Sequence, residues 1–255
     1  KYGTVARDCI QNLYGEPVMN IFSKLKDFIL WLVLTKKCKY CNTLISKNED
    51  LCVDCKEDLP QISGEKCTFC GAGKDRCNCK KHRMNFDGIT SPFYYENGIK
   101  QGLQLLKFNN KSHLAKIFAE DMAKCVKEDF NDINFDFICY VPFSPFQTTE
   151  RNYNQSELLA EEMSKRLEIP VKNALVKLFD VKTQHDMAIM QRKGNVHGIY
   201  DVKDGFSVKG KTVLLVDDIM TTGETLNNCA LIMKIRGAEK VYCVTAALTV
   251  KEKKK

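Results

Sequence analysis

The chain lacks any long apolar run. No stretch of its 255 residues approaches the ~20 consecutive apolar residues that a membrane-spanning helix needs. The nearest run, residues 28–34, follows lysines but precedes no small-residue cleavage site of the kind that ends a signal peptide. Helical spacing of apolar residues from 21 to 32 favours a partly buried amphipathic helix over a peripheral membrane contact. We therefore expect no stable membrane insertion, and a cytoplasmic protein that is membrane-associated only through partners.

Neither an internal repeat nor a low-complexity linker divides the chain. Hydrophobic residues make up 44% of it, which is enough for a real core in one or two domains. Four regions nevertheless differ in pattern: an N-terminal extension and amphipathic helix (1–37), a cysteine-rich block (38–85), a long region of mixed pattern (86–250) and a basic tail (251–255). One helix is predicted over residues 19–37, and Met19 resembles a natural beginning.

Short apolar runs alternate with helical stretches in the third region, which predicts an α/β fold with a parallel sheet. Strands are predicted over 137–141, 213–216 and 241–247, and helices over 154–167 and 225–236. Gly237 is expected to cap the last helix.

Thirteen cysteines without a visible secretion signal favour metal binding over disulfides. Eight of them fall mostly in Cys-x-x-Cys pairs, whose tight turns suit tetrahedral zinc. These are Cys38, Cys41, Cys52, Cys55, Cys67, Cys70, Cys77 and Cys79. The first four form the stronger zinc-ribbon candidate, because Cys77-x-Cys79 is one residue short of the usual pair. Sequential grouping is preferred and an interleaved one stays open, as does replacement of one ligand by His82. With full protein coordination, one or two zinc ions would be structural.

Net charge gives little information about partners. The formal charge is +7, but each four-thiolate zinc site adds about −2 relative to neutral cysteines. Much of the remaining excess lies in the tail 251–255. Charge alone is therefore weak evidence for a polyanionic partner.

The most informative stretch is residues 213–225. Its apolar start predicts a buried parallel strand, and Asp217 and Asp218 stand at the carboxyl end, where open α/β sheets bind ligands. Ionised carboxylates accept hydrogen bonds from ribose hydroxyls. A loop of hydroxyl-bearing residues and glycine then opens a helix, which suits an anion such as phosphate. Its members are Thr221, Thr222, Gly223, Glu224 and Thr225. The simpler alternative is a buried strand followed by acids in a solvated turn.

This stretch resembles the ribose-phosphate signature of type I phosphoribosyltransferases, which bind phosphoribosyl pyrophosphate (PRPP). Two further segments fit a phosphate ligand. The loop after residue 141 ends in Arg151, a forked donor for phosphate oxygens, and in a helix that Asn154 or Ser156 could cap. The polar segment between 178 and 200 contains Arg192 and Lys193 and is either a lid or a solvated charged loop.

The whole arrangement resembles the ComF family of competence proteins over about residues 20–250. Arg151 with Asn154-Gln155 and the following Leu-Leu-Ala matches the family's R-G-F-N-Q-x-x-L-L-A, although Asn152 and Tyr153 replace Gly and Phe. Two weaker matches are the T-Q…R…N spacing from Thr183 and the segment Leu106-Lys107-Phe108.

The resemblance implies a type I phosphoribosyltransferase-like domain preceded by a small zinc ribbon. It implies that Asp217 and Asp218 hold the ribose hydroxyls of PRPP and that the loop holds its 5′-phosphate. Arg151, Arg192 and Lys193 would face pyrophosphate, and Mg²⁺ would arrive with the ligand.

Two functions follow as hypotheses. The first is the handling of imported single-stranded DNA in natural transformation, with PRPP as ligand and a DNA-uptake helicase or another competence protein as partner. Lysines and Arg83 flank the cysteines, and Tyr40 and Phe69 either stack bases or pack the ribbon. The alternative is an active phosphoribosyltransferase of nucleotide metabolism, in which Asp217, Asp218 and Arg151 are catalytic and the acceptor is unidentified.

Overall fold

The computed structural model describes residues 36–79, 84–108, 113–143, 153–178 and 199–250. The cysteine block contains strands β1 (Lys36–Lys37) and β2 (Leu44–Ile45) and helix α1 (Val53–Glu57). The rest contributes β3 (Gly88–Thr90), β4 (Phe93–Tyr94), α2 (Asn97–Phe108), α3 (His113–Asp129), β5 (Phe137–Tyr140), α4 (Gln155–Leu167), β6 (Leu175–Lys177), β7 (Tyr200–Val202), β8 (Thr212–Met220), α5 (Glu224–Ile235) and β9 (Lys240–Leu248). None of the helices in these ranges is long and apolar enough to span a bilayer.

A parallel sheet forms the centre of the molecule, with strand order β3-β9-β8-β5 and β4 also paired with β9. Its strands are apolar on both faces because helices cover both. Ile138 and Leu214 face a cluster that includes residues of α2, α3 and α4. Phe137 and Val213 face the opposite cluster, which includes one side of α5. The predicted α/β fold with a parallel sheet is confirmed.

The predicted elements of this domain match the observed ones within a few residues. The strand predicted over 213–216 continues to Met220, because β9 pairs with it as far as Leu248. Gly237 follows α5 with φ +95°, a conformation that suits glycine at a helix end. The short antiparallel pair of β6 and β7 was not predicted, and it joins the two ends of the polar segment, whose residues 179–198 lie outside the described ranges.

The helix predicted over 19–37 is wrong at its last two residues. Lys36 and Lys37 form β1 and pair with β2 in a small hairpin. This hairpin encloses the Cys-x-x-Cys turn of Cys38 and Cys41, which we call the first knuckle; the turn of Cys67 and Cys70 is the second. A knuckle that folds two cysteines towards one ion requires extended chain on either side, which overrides the helical periodicity. Residues 19–35 lie outside the described part of the chain.

The first four cysteines are part of the main hydrophobic cluster of the α/β domain. Cys38 and Tyr40 are buried in that cluster together with Phe93 and Phe118. Tyr40 packs edge-on to Phe93, with ring centroids 5.2 Å apart. Residues on the two sides of the boundary predicted at residue 85 therefore pack together in one hydrophobic core.

Candidate functional site

Asp217 and Asp218 lie at the carboxyl edge of the sheet. The last residue of β8 that pairs with β5 is Val216, opposite Tyr140. The two acids follow immediately, so they extend past the end of β5 towards the start of α4. This is the edge at which parallel sheets bind ligands. The sequence predicted that the strand ends before the pair, but β8 continues through both acids to Met220 because β9 still pairs with it, and only β5 stops before them.

Asp217 accepts two hydrogen bonds on one carboxylate oxygen. Ser156 Oγ donates to Oδ1 at 2.8 Å, and the backbone N–H of Asp218 donates to the same atom at 2.9 Å. Part of the residue reaches solvent, but the carboxyl group is surrounded by protein atoms. This burial, together with the neighbouring charge of Asp218, raises the pKa of Asp217 to about 7. A ligand that supplies donors or positive charge would favour the ionised form.

Asp218 forms an ion pair with a residue to which the sequence had assigned no role. Lys107 Nζ lies 2.9 Å from Asp218 Oδ2, and both side chains are mostly buried. Lys107 stands at the end of α2, 111 positions away in the chain by residue number. It belonged to one of the family-like segments, which is the one signal that could have drawn attention to it.

The start of α4 is fixed by side chains of the Asn-Gln motif. Asn154 caps the helix by accepting from the Ser156 N–H at 3.0 Å, and its own amide donates to the Val141 carbonyl. Of the two predicted caps, Asn154 is therefore the one observed. Ser156 is thereby left to donate to Asp217.

The loop after β8 presents hydroxyl groups at the start of α5. Thr221 and Thr222 are exposed, and the Glu224 N–H donates to Thr222 Oγ1 at 3.4 Å. Gly223 has φ +81° and its backbone packs against Met84 and Met220, so a larger residue would be strained there. Backbone N–H groups at a helix start and nearby hydroxyls form an arrangement that can bind phosphate. Thr225 follows in the first turn and is half-buried.

The cations that the sequence assigned to pyrophosphate, Arg151, Arg192 and Lys193, lie outside the described residues, as does His82. The described site therefore consists of the acid pair, the loop, and the groups that α2 and α4 direct at the acids.

The cysteines form two groups of four, as the sequential grouping predicted. Ligand atoms within each group lie within 4.8 Å of one another. The groups are Cys38, Cys41, Cys52 and Cys55, and Cys67, Cys70, Cys77 and Cys79. Sulfur pairs such as Cys41–Cys52 are 3.5 Å apart, far longer than a disulfide and close to the edge of about 3.8 Å in a tetrahedron of Zn–S bonds. All eight cysteines are free thiols. The residues therefore fit two structural zinc ions.

One thiol in each group ionises easily. Burial alone would raise the pKa of Cys38, but backbone N–H groups of Cys52, Cys41 and Tyr40 outweigh it and lower this pKa to about 7. Cys67 also has a pKa lowered to about 7, since backbone groups of Phe69 and Cys70 outweigh its burial. Thiolates are the form that binds zinc, so the chemistry of each group suits the metal.

The two knuckle aromatics have different environments. Tyr40 is 6% exposed, and its hydroxyl donates to Asp121 Oδ2 on α3 at 3.1 Å. Phe69 is 39% exposed. Tyr40 therefore packs the core, and Phe69 is the member of the pair that could stack on a base.

Comparison with known proteins agrees with this geometry. Residues 154–255 match the family model described as the phosphoribosyl transferase domain. Competence protein F of Haemophilus influenzae is 28% identical over 219 residues, which cover 80% of this chain and 93% of that protein. Competence protein ComFC of Bacillus subtilis is 25% identical over 204 residues, covering 76% and 82%.

A third relative carries a different name. DNA utilization protein YhgH of Escherichia coli is 24% identical over 217 residues, covering 83% of this chain and 90% of that protein. These relatives match about four-fifths of the chain and the domain match covers its C-terminal part, and together they support the assignment of the chain to the ComF family of competence proteins.

Proposed function

We propose that this protein binds PRPP with Mg²⁺ at the carboxyl edge of its sheet and handles single-stranded DNA in the cytoplasm during natural transformation. The observation that carries the PRPP assignment is the pair Asp217 and Asp218 beside the hydroxyl-lined start of α5. Carboxylates accept from the ribose hydroxyls, and Thr221, Thr222 and the following backbone N–H groups donate to the 5′-phosphate. Mg²⁺ would arrive with the ligand and would neutralise part of its negative charge.

Calorimetric titration with PRPP and Mg²⁺ tests this site. We expect saturable binding by the wild-type protein and its loss in the double variant Asp217→Asn, Asp218→Asn, which keeps side-chain shape. Asp204→Asn is the matched control, because Asp204 is exposed in the turn between β7 and β8, before the amino end of the strand whose other half carries the acids. Undiminished affinity in the double variant would refute the site assignment.

The DNA assignment derives support from the relatives' names and from the surface of the cysteine block. Lys36 and Lys37 are exposed beside the first knuckle, and Phe69 is exposed at the second. Positive charge and exposed aromatic rings are the two features with which proteins bind single strands without reading sequence. Lys80 and Lys81, which also flank the cysteines, lie outside the described residues.

Fluorescence anisotropy with a labelled oligonucleotide tests the DNA assignment. Neutralising Lys36, Lys37, Lys80 and Lys81 should weaken single-strand binding and flatten its salt dependence, and Phe69→Ala should weaken it further. Lys209→Gln with Lys240→Gln serves as the control, since both lysines are exposed outside the block. Equal binding by all variants would remove the cysteine block from the DNA surface.

Phosphoribosyl transfer is the second candidate, and the intact acid pair favours it. Two adjacent carboxylates could stabilise a cation-like sugar as pyrophosphate leaves. Pyrophosphate release in the presence of candidate acceptors would separate an active enzyme from a PRPP-binding protein.

A further inference from the structure

Lys107 is a cation within the ligand site that none of the predicted roles includes. Its ammonium group touches Asp218, and its side chain is 25% exposed, so it lies at the boundary between protein and solvent. It also acts on Asp217, whose ionised form its charge favours. A phosphate group that binds beside two carboxylates needs a donor that contacts its oxygens, and a lysine ammonium group can supply one. Among the described residues, Lys107 is the one that forms an ion pair with this acid pair.

The end of α2 that carries Lys107 is attached to the start of α4. The last carbonyl groups of a helix have no partner within the helix. Here the Leu106 carbonyl accepts from the Tyr153 hydroxyl, and the Lys107 carbonyl accepts from Gln155 Nε2 at 3.3 Å. The next residue of α4, Ser156, donates to Asp217. The end of α2 therefore contacts Asp218 through Lys107, the start of α4 contacts Asp217 through Ser156, and hydrogen bonds join the two helix ends.

The beginning of α2 packs against the group of Cys38, Cys41, Cys52 and Cys55, which we call the first cysteine cluster. The group of Cys67, Cys70, Cys77 and Cys79 is the second cluster. Gly98 and Gly102 lie one turn apart and face the cluster. A Cβ atom at Gly98 would overlap Cys55 Sγ, and one at Gly102 would overlap the Tyr40 carbonyl oxygen. The helix backbone therefore packs directly on the knuckle, and a side chain larger than glycine at either position would push the helix away.

A single helix connects these two contacts. Gly98 and Lys107 are nine residues apart, which is about 14 Å along a helix axis. We propose that Lys107 is a binding residue for the anionic part of the phosphosugar, and that the first cysteine cluster holds it in place through α2. This inference rests on the proposed PRPP site, which it extends by one residue and one supporting element.

Two roles for Lys107 lead to opposite results. As a ligand-binding residue, Lys107 turns from Asp218 towards a phosphate oxygen when the ligand enters, and its removal weakens binding. As a plain counter-ion that fills the site, it competes with the ligand, and its removal tightens binding. The sign of the change therefore distinguishes the roles.

The first experiment is calorimetry with PRPP and Mg²⁺. We expect Lys107→Ala to weaken binding by about tenfold or more, and Lys107→Arg to recover much of the loss, because a charged donor is retained. Lys100→Ala is the control, since Lys100 is exposed on the same helix. Unchanged or tighter binding by Lys107→Ala would overturn the binding role. No binding by the wild-type protein would instead refute the proposed function.

The second experiment needs no ligand and tests the positioning. Lysines are labelled with an amine-reactive ester and the rate at Lys107 is measured by mass spectrometry. We expect slow labelling in zinc-loaded protein and a rise of about threefold or more in Gly102→Ala and in Cys55→Ser, where loss of the support frees the ammonium group. Cys79→Ser, in the second cluster, should leave the rate unchanged.

In Gly102→Ala and Cys55→Ser, labelling of Lys66 reports in the same sample whether the protein is folded, because its side chain is 9% exposed. In Cys79→Ser, whose cluster adjoins Lys66, circular dichroism reports it instead. A rise at Lys107 counts only where the protein is folded by these measures. If Lys107 is labelled at the wild-type rate in folded Gly102→Ala, or if Cys79→Ser raises the rate equally, the first cluster does not position Lys107.

Discussion

The two cysteine clusters have nearly the same ligand pattern but different relations to the rest of the protein. All four cysteines of the first cluster are buried, within the hydrophobic cluster that includes α2, α3 and α4. The four cysteines of the second are half-exposed, and Cys70 and Cys77 pack at the edge of the opposite cluster. A metal site can therefore belong to a domain core or be attached at its periphery, and the neighbours of the knuckles decide which.

The largest expected difference comes from removing one ligand from each cluster. Cys55→Ser should lower the free energy of unfolding of the whole α/β domain by about 4 kcal/mol or more, because metal loss disturbs the core contacts of α2. Cys79→Ser should cost about 1 to 2 kcal/mol, mostly locally. Thermal unfolding followed by circular dichroism measures both. Equal losses would mean that burial does not distinguish the clusters.

The knuckle aromatics give the next largest difference. Tyr40→Ala should destabilise the protein by about 4 kcal/mol, since it leaves a cavity next to Phe93 and Phe118 and removes one hydrogen bond to Asp121. Phe69→Ala at the equivalent knuckle position should cost about 1 kcal/mol or less, because its ring already meets solvent. Urea unfolding of the two variants measures both losses of unfolding free energy, so that they can be compared. A cost at Phe69 as large as at Tyr40 would contradict the comparison.

The pH dependence of stability reports on Asp217, whose neighbour Asp218 pairs with Lys107 on α2. The pKa of Asp217 is raised from 3.8 to about 7 in the folded protein, so folding favours its protonated form. Wild-type stability should therefore fall by about 2 kcal/mol from this group between pH 5.5 and pH 7, and level off above. Asp217→Asn should remove that fall, and Asp204→Asn should not.

Urea unfolding at pH 5.5 and pH 8 measures the effect, and the Cys79→Ser variant should show the wild-type slope. An unchanged slope in Asp217→Asn would assign the titration to another group.

The attachment of the second cluster gives the smallest expected effect. Lys66 next to Cys67 forms hydrogen bonds with Thr90 and Cys125 and an ion pair of 2.6 Å with Asp129. Lys66→Met should cost about 1 to 2 kcal/mol, because Asp129 then lacks its buried partner. Lys74→Met is the control, since its ion pair with Glu65 is exposed and should contribute under about 0.5 kcal/mol. Equal costs would show that burial does not strengthen the Lys66 contact.

Features that depend on neighbouring residues were predicted from the sequence. The start of the strand that carries Asp217, the helix after Gly223 and both cysteine groups follow from short local patterns, and the structure has them in those places, although the strand itself continues to Met220. The helix end at 36–37 failed because pairing with residues 44–45, a contact across the knuckle, decided it.

Features that depend on distant residues were beyond the reach of the sequence. Lys107 meets Asp218 only because α2 and β8 are brought together by the packing of the whole domain. Tyr40 and Phe69 occupy the same knuckle position, and nothing local indicates that one is buried and the other exposed. The role of Ser156 likewise became visible only once Asn154 was seen to cap the helix.

The environment of Asp217 has a consequence for any binding experiment. With a pKa of about 7, this carboxyl group carries roughly half a proton per molecule at neutral pH. A ligand that requires the ionised form must expel that proton to the buffer. The heat of binding should therefore differ between PIPES and Tris buffers, whose heats of protonation differ, and the difference counts the protons released. PRPP titrations in both buffers would thus measure how many protons leave the protein for each ligand bound, and we expect about half a proton from Asp217 at neutral pH.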